Sequence, residues 1–165
     1  MDPLFIWLES TRISTWVRES TSVWGFPMII AYHAVGMAFA AGLSAAVDLR
    51  ILGVARSVPL TELKRFVPLM WIGFWLNAAS GVLLFLAFPT KALTNPVFYV
   101  KMVLILLALM FLRAIARSVL QDPALDYGEI PARARWMAGA SLFCWAGAIL
   151  AGRLLAYTYT RLMAG

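Results

Sequence analysis

Four stretches of this chain are apolar for long enough to cross a bilayer, and its polar positions fall mostly between them. They cover residues 24–47, 66–88, 97–115 and 136–159, each near the ~20 residues that cross a hydrocarbon core as a helix. Ahead of them, residues 3–17 set Phe5, Leu8, Ile13, Trp16 and Val17 along one side of a helix, with Glu9, Arg12 and Ser14 turned away. That spacing suits a helix lying in the membrane interface. Asp2 and Pro3 supply its cap and first turn, Asn95-Pro96 opens the third stretch in the same way, and Pro68 falls in the first turn of the second. Residues 121–131 (QDPALDYGEIP) form a polar turn region before the fourth stretch. No period-two alternation, internal repeat or low-complexity tract is present. The pattern predicts an all-α integral membrane protein, a bundle of four transmembrane helices plus an N-terminal interfacial amphipathic helix, forming one membrane domain over residues 1–165.

Composition places the chain in the same class. Hydrophobic residues make up 62% of it, charged residues 13%, and the mean hydropathy is +0.82; a soluble domain carries roughly 25% charged residues. The first residues, MDPLFIWLES, are acidic rather than basic and predict no cleaved leader. The single Cys144 excludes an intrachain disulfide. The net charge of +6 is divided among short loops, which points to membrane topology and anionic lipid headgroups and away from nucleic acid. Arg50, Arg56, Lys64 and Arg65 follow the first span, and Arg113, Arg117, Arg133 and Arg135 surround the turn after the third. Against them stand Arg12, Arg18, Lys91, Lys101 and Arg161 on the other side. The excess predicts that the first and third loops are cytoplasmic, and that both termini are periplasmic in a bacterial inner membrane.

The polar groups left inside the spans are few. His33, the only histidine, lies at bilayer depth in span one, Asn77 near the middle of span two and Arg153 within span four. At 1.5 Å per residue His33 is ~14 Å and Arg153 ~9 Å from the periplasmic end of its span, so the three share overlapping layers. Asp48 is ~22 Å from His33 along one straight helix, too far for an acid–base pair. Ile29, His33, Gly36, Ala40 and Ser44 fall on one face of span one, with Met37 beside them, and Gly73, Asn77 and Gly81 recur along span two. Small residues are also frequent in span four, among them Gly139, Ser141, Gly147, Ala148 and Gly152. Such stripes mark close helix–helix seams, and they lead us to expect a homo-oligomer.

An ionisable group inside a membrane helix is a candidate functional residue. His33 has two main readings: a neutral imidazole hydrogen-bonded to a backbone carbonyl or to Asn77, or an axial ligand of haem b held between helices. In the haem reading His33 is the metal ligand, and Met37, a second copy's His33 or an open position completes the iron. Arg153 neutralises a propionate, and Asn77 and Met37 line the pocket. A copper site built from His33 and Met37 is chemically possible because imidazole and thioether suit Cu(I), although most methionines in so apolar a chain are packing residues. Proton relay through His33 has no carboxylate within the predicted spans to continue it. Arg153 can instead snorkel to the interface, where Trp24, Tyr157 and Tyr159 mark an aromatic belt. Zinc, phosphate-loop and serine-hydrolase motifs are absent from the sequence. Asp122, Asp126 and Glu129 read as a solvated acidic patch.

The motifs W-G-F-P (Trp24–Pro27), His33, Gly36, Gly42 and D-L-R (Asp48–Arg50), then W-x-x-F-W-x-N-x-x-S-G (Trp71–Gly81) and N-P-x-F-Y-x-K (Asn95–Lys101), resemble a family of small bacterial four-span inner-membrane proteins of unknown function. That resemblance implies four spans and no particular activity. The shorter H-x-x-G segment, His33 and Gly36, is distantly similar to cytochrome b561-like and copper-resistance-type bundles, which are haem- or copper-associated. Their several histidines are reduced here to one. The expected function is therefore that of a b-type haem protein in membrane electron transfer, with membrane lipids and a redox partner as its contacts. The alternative is a cofactor-free bundle that binds lipid or a partner protein, or passes a small solute.

Overall fold

The computed structural model describes residues 7–162, without the side chains of 156 and 159–162. Four of its helices are long and apolar enough to span a membrane: Phe26–Leu52, Leu60–Ala87, Pro96–Ser118 and Ala132–Leu155, here spans one to four. The chain is an all-α four-span bundle, as the hydrophobic pattern requires. The Asp2–Pro3 cap, Phe5 and the Tyr159 side chain lie outside the described residues.

The start of each element is written locally. Pro68 stands in the first turn of the straight helix Val67–Ala87, where its missing N–H costs nothing. Asn95 caps span three, its side chain accepting from the Val97 amide at 3.0 Å. Span one runs beyond the expected residue 47 to Leu52 and stops at Gly53, whose φ of 109° only glycine adopts freely. The charged run Asp48–Arg50, which reads as the beginning of a loop, is thus helical, with Asp48 and Arg50 buried.

The amphipathic segment departs from a single helix over 3–17. It breaks at Ser10–Thr11 and restarts as Arg12–Glu19. The Thr11 hydroxyl donates to the Leu8 carbonyl at 2.8 Å and accepts from the Ser14 amide at 3.3 Å, side-chain bonds that compete with helix continuation. Val17 packs with Ile29 and Ala87, and Arg18 donates to the carbonyls of Ala87 (3.2 Å) and Glu9 (2.7 Å). Thr90 adds a bond to the Glu9 carboxylate at 2.7 Å. The segment is therefore pinned to the far end of span two. We call that side of the bundle the terminal face, and the side carrying loops one and three the basic face.

Spans one and two form one antiparallel hairpin, spans three and four another. The first hairpin is closed at Gly36 and Gly73. A Cβ on Gly36 would stand 2.6 Å from the Asn77 amide nitrogen and 2.7 Å from the Gly73 carbonyl oxygen. A Cβ on Gly73 would stand 2.8 Å from the Ala40 nitrogen. Backbone meets backbone here, so only glycine fits. The Gly36/Ala40/Ser44 and Gly73/Gly81 stripes are filled within one chain and do not present a free surface to a second copy.

A π-helical turn over Ala38–Gly42 interrupts span one. Above it, Phe26–Met37 packs on span two; below it, Leu43–Leu52 packs on span four. One extra residue in a turn rotates everything beyond it, and the helix changes partner at that point. On the basic side the hairpins share the main apolar core, with Val47, Ile51, Met70, Leu112, Ile115 and Ala138 all buried. A smaller layer of Ala40, Ala41, Ala108, Cys144 and Trp145 closes the middle. Towards the terminal face the extensive contacts are within each hairpin, and Phe85 of span two stacks on Phe98 of span three between the two pairs, ring centroids 6.0 Å apart.

Candidate functional site: a polar layer between the hairpins

His33 projects from span one against span two. Its Nδ1 lies 3.0 Å from the Asn77 carbonyl oxygen and 3.1 Å from Ser80 Oγ. A carbonyl can only accept, and the Ser80 hydroxyl gives its own proton to the Leu76 carbonyl at 2.7 Å. Nδ1 therefore carries the proton, and in the neutral imidazole Nε2 holds the lone pair. The Asn77 side chain closes a reciprocal clamp, Nδ2 donating to the His33 carbonyl at 2.7 Å. The bare backbone of Gly81 makes room for the ring: a Cβ there would lie 3.2 Å from His33 Cε1. Ring plane and tautomer are thereby fixed by Asn77, Ser80 and Gly81.

The cation of this layer is Lys101, a residue not expected there from the sequence. Its ammonium is close enough to His33 for a charge–charge interaction, and it crosses Gly152 of span four, where a Cβ would stand 3.8 Å from Nζ. All four spans thus contribute to one layer. The signal was present in the sequence: Lys101, Leu104, Ala108, Leu112 and Ile115 recur at three- and four-residue steps, and the last three are buried. Arg153 is elsewhere. It is exposed, off the stripe of Ser141, Ala148 and Ala151 that span four buries, and it joins the exposed Trp24 and Tyr157 at the rim. The structure brings His33 and Asn77 together and leaves Arg153 out.

Met37 occupies the layer beneath, packed with Phe74 and Leu104 against Trp145, Cys144 and the alanines. It belongs to that apolar layer and not to the His33 hydrogen-bond cluster. Among the described residues no group of three His, Cys, Asp or Glu side chains converges, so a copper reading rests on His33 and Met37 alone.

Two acidic groups differ from expectation. Asp48 lies inside the apolar helix, 1% exposed, facing span four beside Ser141. Neither Asp48 Oδ2 nor Ser141 Oγ completes a hydrogen bond among the described residues. His33 and Asp48 open onto different seams, on opposite sides of the π turn. Asp126, expected in a solvated patch, is a tether instead: its oxygens accept from the Thr61 amide at 2.9 Å and the Thr61 hydroxyl at 2.7 Å. Those bonds from Thr61, hydroxyl before amide, with the Arg50 charge behind them, hold the Asp126 carboxyl below the usual carboxylate range.

No protein-family model, curated protein or solved structure matches this chain.

Proposed function

We propose that this membrane bundle holds a b-type haem between its hairpins, with His33 Nε2 as axial ligand, and works in electron transfer. The observation that carries the reading is the orientation of the imidazole. A histidine that binds metal through one nitrogen characteristically donates the other N–H to a carbonyl, which fixes the tautomer and raises ligand basicity. Nδ1 of His33 does this with Asn77. The residues present fit the group: a half-buried imidazole with a free Nε2, a cation in the same layer, and an apolar floor containing Phe74 and Trp145. Lys101 would replace Arg153 as the partner for a propionate, and Met37 would line the apolar side of the pocket. When bound, the haem supplies a one-electron couple, while the protein sets its orientation, burial and charge.

The same clamp also supports a second reading. Asn77 is bonded to both the ring and the backbone of His33, and such reciprocal bonds tie two membrane helices together without any cofactor. Absorption spectra of protein expressed with ample haem and purified in mild detergent decide between them. A Soret band with reduced-minus-oxidised α and β bands is expected; a colourless protein leaves the clamp as a structural device and ends the redox reading.

The orientation proposed is the basic face in the cytoplasm of a bacterial inner membrane. Phosphatase fusions after Ser57 and Ala124 should be inactive and green fluorescent fusions at the same points bright. The reverse pattern overturns the orientation.

A further inference from the structure

A cavity lies on the basic face, far from His33. It has a volume of about 650 Å³, in the range of small-molecule sites, and its wall includes Arg50, Arg56, Arg135, Asp126, Tyr127 and Glu129. Arg50 is only 4% exposed. Its Nε donates to the Val58 carbonyl at 2.6 Å, and its Nη2 to the carbonyls of Arg56 (3.0 Å) and Asp126 (2.7 Å). These bonds hold the guanidinium by neutral acceptors and leave Nη1 without a protein partner on the cavity wall. Both carboxylate oxygens of Asp126 are committed to Thr61. Of the carboxylates on the wall only Glu129 remains uncommitted, against three guanidinium groups. The loop that builds the wall is shaped for it: Gly53 has a φ of 109°, Ala55 a φ of 52°, and the Arg56 guanidinium folds back over Gly53.

Directly beside it runs an apolar groove of about 330 Å³, lined by Ala46, Leu49, Val54, Val58 and Leu63. Arg50 lines both. Leu49, Val54 and Val58 are exposed, so the groove opens sideways where span one meets its loop. A buried cation between a charged pocket and an apolar channel, at the end of a membrane helix, has the layout of a phosphate group joined to an acyl chain.

We propose that this face is a binding site for a phosphate-bearing ligand, a phospholipid whose headgroup phosphate is held by Arg50, Arg56 and Arg135 while an acyl chain lies in the adjoining groove. The site is independent of the haem reading and stands or falls without it.

The test compares wild type with Arg56→Gln/Arg135→Gln, which keeps the Arg50 anchor and the loop backbone, and with Arg117→Gln/Arg133→Gln, which removes the same charge outside the pocket. Native mass spectrometry of protein purified in mild detergent reads retained phospholipid; delipidated protein is then titrated with phosphatidylglycerol micelles, phosphatidylethanolamine micelles and inorganic phosphate. Retained phospholipid in wild type, lowered about tenfold in the pocket variant and unchanged in the control, is the expected result. Inorganic phosphate that binds wild type where neither micelle does overturns the phospholipid and leaves a soluble phosphate as occupant. Equal lipid retention in the two variants, or no binding of any probe by wild type, overturns the site.

Discussion

If the bundle holds haem as proposed, His33→Ala should remove the haem spectrum of the purified protein, whereas Arg153→Ala should leave it as in wild type. The first change deletes the coordinating nitrogen, and no other imidazole exists in the chain to replace it. The second alters an exposed side chain at the rim. Lys101→Ala falls between them: it removes the cation of the layer and should lower haem affinity while leaving the axial bond and the band positions in place. Ser80→Ala takes away one of the two Nδ1 acceptors, and outer-shell partners of this kind are typically worth about 10–100-fold in affinity. Titration of the apo-protein with haem measures all four. A full spectrum retained in His33→Ala, or loss of haem in Arg153→Ala comparable to that in Lys101→Ala, contradicts the assignment. If the protein carries no haem, His33→Ala still strips the Asn77 carbonyl and Ser80 Oγ of the Nδ1 proton, at a cost of about 1–3 kcal/mol in unfolding.

Gly36→Leu should prevent the first hairpin from closing. The groups a side chain would meet are backbone atoms of Asn77 and Gly73 at 2.6 and 2.7 Å, and these cannot rotate aside as a side chain can. The helices must separate along the seam, which pulls Asn77 away from His33 and loses both bonds of the clamp. Overpacking a tight core typically costs about 1–3 kcal/mol and at times more; with the clamp added, loss of monodisperse protein on size exclusion is expected. Gly139→Leu is the control, because nothing lies within 4 Å of a Cβ at that position. Equal thermal midpoints for the two variants in detergent would show that the seam is not tight.

The spans were legible because length and hydrophobicity suffice to find a membrane helix, and because Pro68 and Asn95-Pro96 punctuate two of them. Their exact ends were less so. Asp48 and Arg50 look like the edge of a loop, yet the Arg50 guanidinium is held by carbonyls that come from residues 56, 58 and 126. Hydrogen bonds across such separations leave no local pattern, and for the same reason Asp126 looked solvated. The pairing of His33 with Asn77 followed from depth alone. The choice between Lys101 and Arg153 required helix phase: both sit near the periplasmic ends expected for their spans, but only Lys101 continues a buried stripe. Ser10 and Thr11 broke the amphipathic helix although the side-chain periodicity ran through them, because hydroxyl-to-backbone bonds are invisible to a hydrophobic count.

The π turn at Ala38–Gly42 makes the chain intolerant in a currency other than residue identity. Its five residues, AFAAG, carry no polar side chain, and their identity matters at the buried Ala40 and Ala41 but not at Gly42, where nothing lies within 4 Å of a Cβ. Their number is another matter. Deleting one residue restores a regular helix and turns the following half of span one by about 100°, which swings Asp48 and Ile51 out of the seam with span four. Between His33 and Asp48 this chain is therefore constrained by how many residues it has as well as by which ones they are.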